Sequence, residues 1–352
     1  MDRTEKALSL ARSIGGKNGL NCIAELDPTA TAQAEEMKGK PYLPLSGEPV
    51  LVKDNIDVRG LRTTAGSLAL ADNIACRDAR VIENLRRRGA VIIGKTNMTE
   101  FANYTTRGMP GGYSSRGGQV IHAADPELSP SGSSSGSAVA VSSGIVRMAV
   151  GTDTSFSITG CAQTNGICGL KPPVGALSGE GIIPLAPTLD SAGALAGCFS
   201  DALRLYSAMR DESLPDIRPT PPGKLRIAVN TAGRDQLAAD QEGFLTLFLD
   251  RLRSDGAYLS EITQPYTSHI RTVMKWEFRP ALEAYLERSA ASLKTLSGIV
   301  GYYERYPETM MRYGDVYLRE ALDDTPGGLL GEPYLEAMRI RSETISRVTA
   351  EI

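Results

Sequence analysis

Between residues 49 and 94 the sequence switches period twice, and few folds accommodate that order. P-V-L-V-K (49–53) is a short apolar run that reads as a buried strand ending on Lys53. D-A-R-V-I-E-N-L-R-R-R (78–88) puts Val81, Ile82 and Leu85 on one helical face. Asp78 stands near the start of that stretch and arginines at its end, the charge order that suits a helix dipole. Gly89 stops the helix, and A-V-I-I-G (90–94) is a second strand. Strand, helix, strand in this order predicts a right-handed crossover in a mostly parallel or mixed sheet, and so an α/β fold class.

The remaining chain is read more coarsely. Residues 4–14 suggest a short amphipathic helix. Residues 107–137 are rich in Gly and Ser and carry almost no helix or strand signal, and so long a loop in a compact chain is functional or disordered. Residues 138–150 return to apolar helix and strand, and 161–170 form a small-residue segment. A Pro-rich connection at 215–224 precedes a strand (225–229), a helix (about 239–254), a strand (257–262) and then long helices, including 268–288. No internal repeat is evident. A net charge of −3 makes nucleic acid a poor partner, and Arg86-Arg87-Arg88 reads as the solvated end of a helix. The charged N-terminus is unlike a signal peptide, and no stretch approaches the ~20 apolar residues of a membrane span, so a soluble, cytoplasmic protein is expected. Five cysteines without a C-x-x-C pair argue against disulfides and zinc, and read as buried free thiols of a reducing cytosol. With only His122 and His269 present, the base of a hydrolase is expected to be something other than histidine.

Three short stretches could carry chemistry. Lys53 is either a lysine snorkelling from a strand edge or a desolvated amine with a lowered pKa, able to act as a general base. S-G-S-S-S-G-S (131–137) has the composition of a linker, yet it is brief and runs directly into an apolar stretch. G-T-D-T-S-F-S (151–157) follows the apolar V-R-M-A-V. Backbone N–H groups at such a corner can converge into an oxyanion hole, and a serine there is placed as a nucleophile if it has a base. Asp153 reads as a brace or a cap for this turn, and Ser134 and Ser135 as loop hydroxyls bonded to backbone.

Taken together, in this order, these stretches resemble the amidase signature family. K-D-N (53–55), S-G-S-S-S-G-S-A (131–138), G-T-D-T-S-F-S-I (151–158) and G-L-K-P (169–172) carry the likeness. G-K-T-N-M-T-E-F-A (94–102), Y-S-S-R-G-G-Q (113–119) and G-I-I-P-L-A-P-T-L-D-S-A-G (181–193) add to it. It is dense over about 45–200 and looser elsewhere, and it implies a catalytic core over about 45–205. The resemblance implies one domain over 1–352, a mixed sheet flanked by helices on both faces, and a helical cover or substrate region over about 224–352. It implies a catalytic set of Lys53, Ser133 (on a cis peptide bond) and the nucleophile Ser157. The oxyanion donors would be the backbone N–H groups of Thr154, Ser155, Phe156 and Ser157. The implied activity is hydrolysis of a small-molecule amide through an acyl-serine, with no metal and no cofactor.

The sequence departs from the family in two places. Phe156 stands where the family has glycine, which strains the turn if that position needs a positive φ. The family's C-terminal strands are not in this sequence; a truncation, a genuine short form, or a second copy or partner chain that supplies them are the alternatives, and a sheet edge stays open only if nothing replaces them. These departures motivate a rival reading as a non-catalytic binding or partner protein. Another rival is an ammonia-supplying component of an amidotransferase, but the Y-S-S-R-G-G-Q loop is more like that of broad-range and peptide-amide amidases. Trp276, Phe278, Tyr285 and the tyrosines at 302, 303 and 306 read as core rather than as a lid on the cleft.

Overall fold

The computed structural model describes residues 2–212, 214, 219–264 and 269–351. The chain divides into two compact units, Met1–Ser213 with Met274–Gly328, and Leu214–Val273 with Leu329–Ile352.

The first unit runs α1 (Arg3–Ser13), β1 (Ile23–Leu26), α2 (Ala30–Met37), β2 (Pro49–Lys53), α3 (Arg80–Arg87) and β3 (Val91–Thr96). A small hairpin follows, β4 (Tyr113–Ser114) with β5 (Gly118–Gln119), then α4 (Ser135–Ser142), β6 (Met148–Asp153), α5 (Thr159–Thr164), β7 (Cys168–Leu170), β8 (Ser191–Ala196) and α6 (Phe199–Met209). Six strands form one sheet in the order β1-β3-β2-β6-β8-β7. β2 runs parallel to both β3 and β6, whereas β1, β7 and β8 pair antiparallel with their neighbours. The sheet is mixed, as the crossover pattern predicts.

Alternation along β2 divides its side chains between two cores. Val50 and Val52 pack with Ile92, Met148 and Val150 against Val81, Ile82 and Leu85 of α3 and Leu205 of α6. Leu51 packs on the other face with Val91, Ile93 and Ala149 against α1, α2 and α4. A sheet covered on both sides needs unbroken apolar strands, which is why V-L-V and V-I-I stand out in the sequence. By the same alternation Lys53 shares the face of Leu51, which is the face that α4 covers.

Several elements lacked a sequence signal. α4 begins at Ser135, three residues inside the stretch that reads as irregular. β8 is the small-residue run S-A-G-A-L-A, in which a Cβ on Gly193 would collide with the Leu170 carbonyl. The second unit holds β9 (Arg226–Asn230), α7 (Ala239–Ser254) and β10 (Tyr258–Ile262), within about a residue of the expected bounds, with the two strands paired in parallel. The first four residues of the Pro-rich connection, 215–218, and residue 268 lie outside the described residues.

α8 (His269–Arg288), α9 (Leu296–Arg305), α10 (Pro307–Met310) and α11 (Val316–Asp323) follow, then α12 (Glu332–Glu351) in the second unit. From Met274 onward α8, α9 and α11 bury Phe278, Leu282, Leu286, Ile299, Tyr303 and Leu318 against Phe101 and Tyr104. Trp276, Phe278 and Tyr303 are core residues, whereas Tyr285 and Tyr302 are only half-buried and Tyr306, expected in the core, is exposed. The cysteines are not all buried: Cys22 and Cys161 are, Cys168 is half-buried, and Cys76 and Cys198 are exposed. Composition alone could not separate thiols in the sheet core from thiols in surface loops. No helix among the described residues is long and apolar enough to cross a membrane.

Candidate active site

Lys53 ends β2 with no exposed surface. Its Nζ lies 2.8 Å from Ser133 Oγ, 2.9 Å from Ser134 Oγ, 3.1 Å from the Thr152 carbonyl and 2.8 Å from Thr152 Oγ1. No carboxylate among the described residues is bonded to it. Loss of water dominates, and burial lowers the amine to about 8 against the smaller pull of Asp153 and Asp190. Of the two readings open for this residue in the sequence, the snorkelling one is excluded.

The S-G-S-S-S-G-S stretch is a largely buried loop that feeds the N-terminus of α4. Ser131 takes a left-handed φ of 61°, and the Gly132–Ser133 peptide bond is cis. Both glycines are required by close approach. A Cβ on Gly132 would collide with Thr99 Oγ1, and one on Gly136 would collide with the Asn97 carbonyl. Ser134 Oγ donates to the Thr152 carbonyl at 2.9 Å and Ser135 Oγ to the Ser131 carbonyl at 2.7 Å. Ser134 thus bonds backbone as expected and touches Lys53 as well.

Ser157 lies in the turn between β6 and α5, buried beside this loop, with its carbonyl 3.4 Å from the Ser134 N–H. Its hydroxyl has no hydrogen-bond partner among the described residues, so Ser157 is adjacent to Ser133 without being bonded to it. The N–H groups of Thr154, Ser155, Phe156 and Ser157 also donate to no protein acceptor among the described residues. The turn is held from behind. Asp153 accepts from the N–H groups of Ile158 (2.6 Å) and Thr159 (3.3 Å) and from Lys171 Nζ (2.7 Å). Asp153 is brace and cap at once, because the first N–H groups of α5 point at it. Phe156 has no positive φ and is half exposed, so the turn takes a phenylalanine without left-handed strain. Cys161 packs beside Lys53, and burial pushes its thiol up to about 11, so it stays uncharged there.

Four further residues shape the site. Asn55 Nδ2 donates to Thr152 Oγ1 at 3.0 Å, so Thr152 links Asn55 to Lys53. Asp190 accepts from Thr154 Oγ1 at 2.6 Å and from the N–H groups of Leu185 and Ala186, and burial raises its carboxyl. Thr152 and Asn55 sit inside the motifs K-D-N and G-T-D-T, and Lys171 and Asp190 inside G-L-K-P and T-L-D-S. Their role depends on which strand ends meet, and no local pattern states that. A cavity of about 700 Å³ is lined by Asn55, Thr152 and Thr154, neighbours of Lys53 and Ser157, which do not themselves line it, and has mainly apolar walls from Ile182–Leu185, Ala281, Ala284 and Tyr285. Cys76 and Arg288 also line it. His122 bonds the Thr164 carbonyl at the end of α5 and takes no part in the site.

The segment after Met98 closes the other side. The Thr99 N–H donates to the Ser133 carbonyl at 3.1 Å. Phe101, Ala102 and Asn103 then form a left-handed turn, with φ of 45°, 56° and 70°. For L residues this costs about 1–2 kcal/mol each, less for asparagine. Glu100 is fully buried. It accepts from the Ser115 N–H (2.6 Å), from Ser115 Oγ (2.9 Å) and from the Tyr303 hydroxyl. No group of three or more His, Cys, Asp or Glu among the described residues could hold a metal ion.

Known proteins with related sequences and folds agree on the family. A family model described as Amidase matches residues 7–348. The chain is 33% identical over 317 residues to a probable amidase of Arabidopsis thaliana, covering 82% of this chain and 62% of that protein. It is 35% identical over 288 residues to a glutamyl-tRNA(Gln) amidotransferase subunit of Sulfurisphaera tokodaii, covering 77% and 56%. Among solved structures, the peptide amidase from Stenotrophomonas maltophilia superposes with a TM-score of 0.86 at 31% identity, over 96% of this chain and 75% of that one. An amidase family protein from Bacillus anthracis gives 0.87 at 28% identity, over 98% and 73%. The chain thus spans less than two thirds of the length of these curated relatives.

Proposed function

Because the chain belongs to the amidase family, we propose that it hydrolyses a carboxylic amide through an acyl-Ser157 intermediate, with Lys53 and Ser133 as the proton relay. The observation that carries this reading is a fully buried lysine, lowered to about 8, with its amine 2.8 Å from Ser133 Oγ.

Hydrogen counting supports the direction of the relay. A neutral amine has two N–H groups and one lone pair. The Thr152 carbonyl can only accept, and Ser134 Oγ has given its hydrogen to that carbonyl. The two amine hydrogens therefore go to these two oxygens. The lone pair is left for a hydroxyl hydrogen, that of Ser133 or that of Thr152. Lys53 takes the Ser133 proton, and Ser133 takes that of Ser157 as the latter attacks the carbonyl. The unbonded N–H groups of Thr154 to Ser157 receive the oxyanion. The proton returns through Ser133 to the departing nitrogen, and water cleaves the acyl-enzyme by the same path. An apolar substituent of the amide occupies the 700 Å³ cavity.

The likeness to an amidotransferase component motivates a second reading, in which the ammonia released passes to a partner protein. A fluorophosphonate probe tests the first. Labelling located at Ser157 by mass spectrometry, and lost in Lys53→Ala, is the expected result. A folded protein that is never labelled would remove the hydrolase reading. A stable partner that co-purifies with the chain would favour the second reading.

A further inference from the structure

The left-handed turn at Phe101–Asn103 is expensive, and it is not made of glycine. Something must hold it, and the contacts around it identify what does. The Phe101 N–H donates to the Ala65 carbonyl at 2.9 Å, and the Tyr104 N–H to the Phe101 carbonyl at 2.9 Å. The Phe101 ring meets Phe278 edge-on with centroids 5.9 Å apart. Immediately before the turn, Glu100 is locked by the Tyr303 hydroxyl from α9 and by both donors of Ser115.

What the turn holds is equally specific. Thr99 precedes Glu100, and its N–H is on the Ser133 carbonyl. Thr99 Oγ1 accepts from the Gly112 N–H at 2.7 Å and lies 3.4 Å from Ser135 Oγ. Ala65, which receives the Phe101 N–H, is itself left-handed (φ 50°) and donates to the carbonyl of Asp54, the residue after Lys53. One strained segment is thereby tied to both ends of the relay, to Ser133 through Thr99 and to the end of β2 through Ala65.

We propose that Glu100 and Tyr303 are positioning residues for the relay: their contact holds the left-handed turn, which sets Thr99 and, through it, the Ser133 carbonyl. This rests on the relay reading given above. Neither residue lines the cavity. Tyr303 belongs to α9, so the positioning comes from the helical layer and not from the sheet that carries Lys53.

The inference predicts a specific rescue. Glycine adopts left-handed dihedrals without steric cost, so it lets the turn form without its lock. The experiment measures the rate of Ser157 labelling by a fluorophosphonate, kcat and KM for an amide substrate, and the melting temperature. The proteins compared are the unmodified chain, Tyr303→Phe, Glu100→Gln, and Tyr303→Phe combined with Ala102→Gly and Asn103→Gly. Tyr303→Phe and Glu100→Gln are each expected to slow labelling about tenfold and to lower kcat with little change in KM. The two glycines are expected to return the rate to within about threefold of the unmodified chain. Because the glycines also relieve strain, the melting temperature separates the two causes: a loss and recovery of rate that merely follow the melting temperature would mark a purely structural role and overturn the inference. If the unmodified chain is not labelled at Ser157, the relay reading fails and this inference fails with it. If Ser157 is labelled but Tyr303→Phe leaves the rate unchanged, or the glycines do not restore it, this inference alone is overturned.

Discussion

A lysine amine removed from water without a carboxylate to pair with it gives up its proton more readily than an exposed one, and Lys53 is in that position. The sign of the pH dependence follows. Protonated Lys53 cannot accept from Ser133, and the neutral form dominates above its lowered value. Labelling of Ser157, measured from pH 6 to 10, should therefore rise with a single midpoint near 8, and a rate flat across that range would contradict the lysine as base. At this scale the sequence was informative. Lys53, Ser133 and Ser157 lie in motifs whose resemblance to the amidase signature family, more than any one residue, implied a shared site. Thr152 and Asn55 were not readable, because their contribution is a contact between neighbouring strand ends. Phe156 reads as an anomaly only if its position is assumed to need glycine dihedrals, and its own backbone does not.

Each segment of the proposed relay is presented by the end of a regular element. Lys53 ends β2, Ser133 precedes α4, and Ser157 lies between β6 and α5. Asp153 is where this arrangement depends on one side chain, since its carboxylate ties the start of α5 and Lys171 to the last residue of β6. Asp153→Ala would leave the Ile158 N–H and the Lys171 ammonium without their partner. A stability loss of about 2–4 kcal/mol in urea unfolding is expected. Labelling of the remaining folded protein should slow by at least about tenfold. Normal labelling with lowered stability would mean that Asp153 supports the fold but not the turn. β2, α3 and β3 were legible because periodicity, a charge gradient and Gly89 all agree. β8 and the start of α4 were not, because small residues packed on both sides leave no hydrophobic pattern to read.

At the scale of the whole molecule, residues 274–328 fold with the N-terminal 213 residues, whereas the stretch between them belongs to a second unit. That return was invisible in the sequence. Amphipathic helices declare that they pack, but not onto which core, and of the aromatics of α8 and α9 Phe278 and Tyr303 enter the core while Tyr285 lines the cavity. The two units differ in how their strands are buried. β2, β3, β6 and β8 are buried along their whole length, while β9 and β10 form a two-stranded sheet of half-buried and exposed residues. Amide hydrogen exchange should accordingly be slowest in β2 and β6 and faster by about a hundredfold or more in β9 and β10. Equal protection in the two sheets would argue that the chain opens as one body. The exposed thiol of Cys76 at the cavity wall has a practical use. With Cys198, the other exposed cysteine, changed to serine, an environment-sensitive dye on Cys76 would report by fluorescence when the cavity fills. Ligands could then be ranked optically before any turnover assay exists.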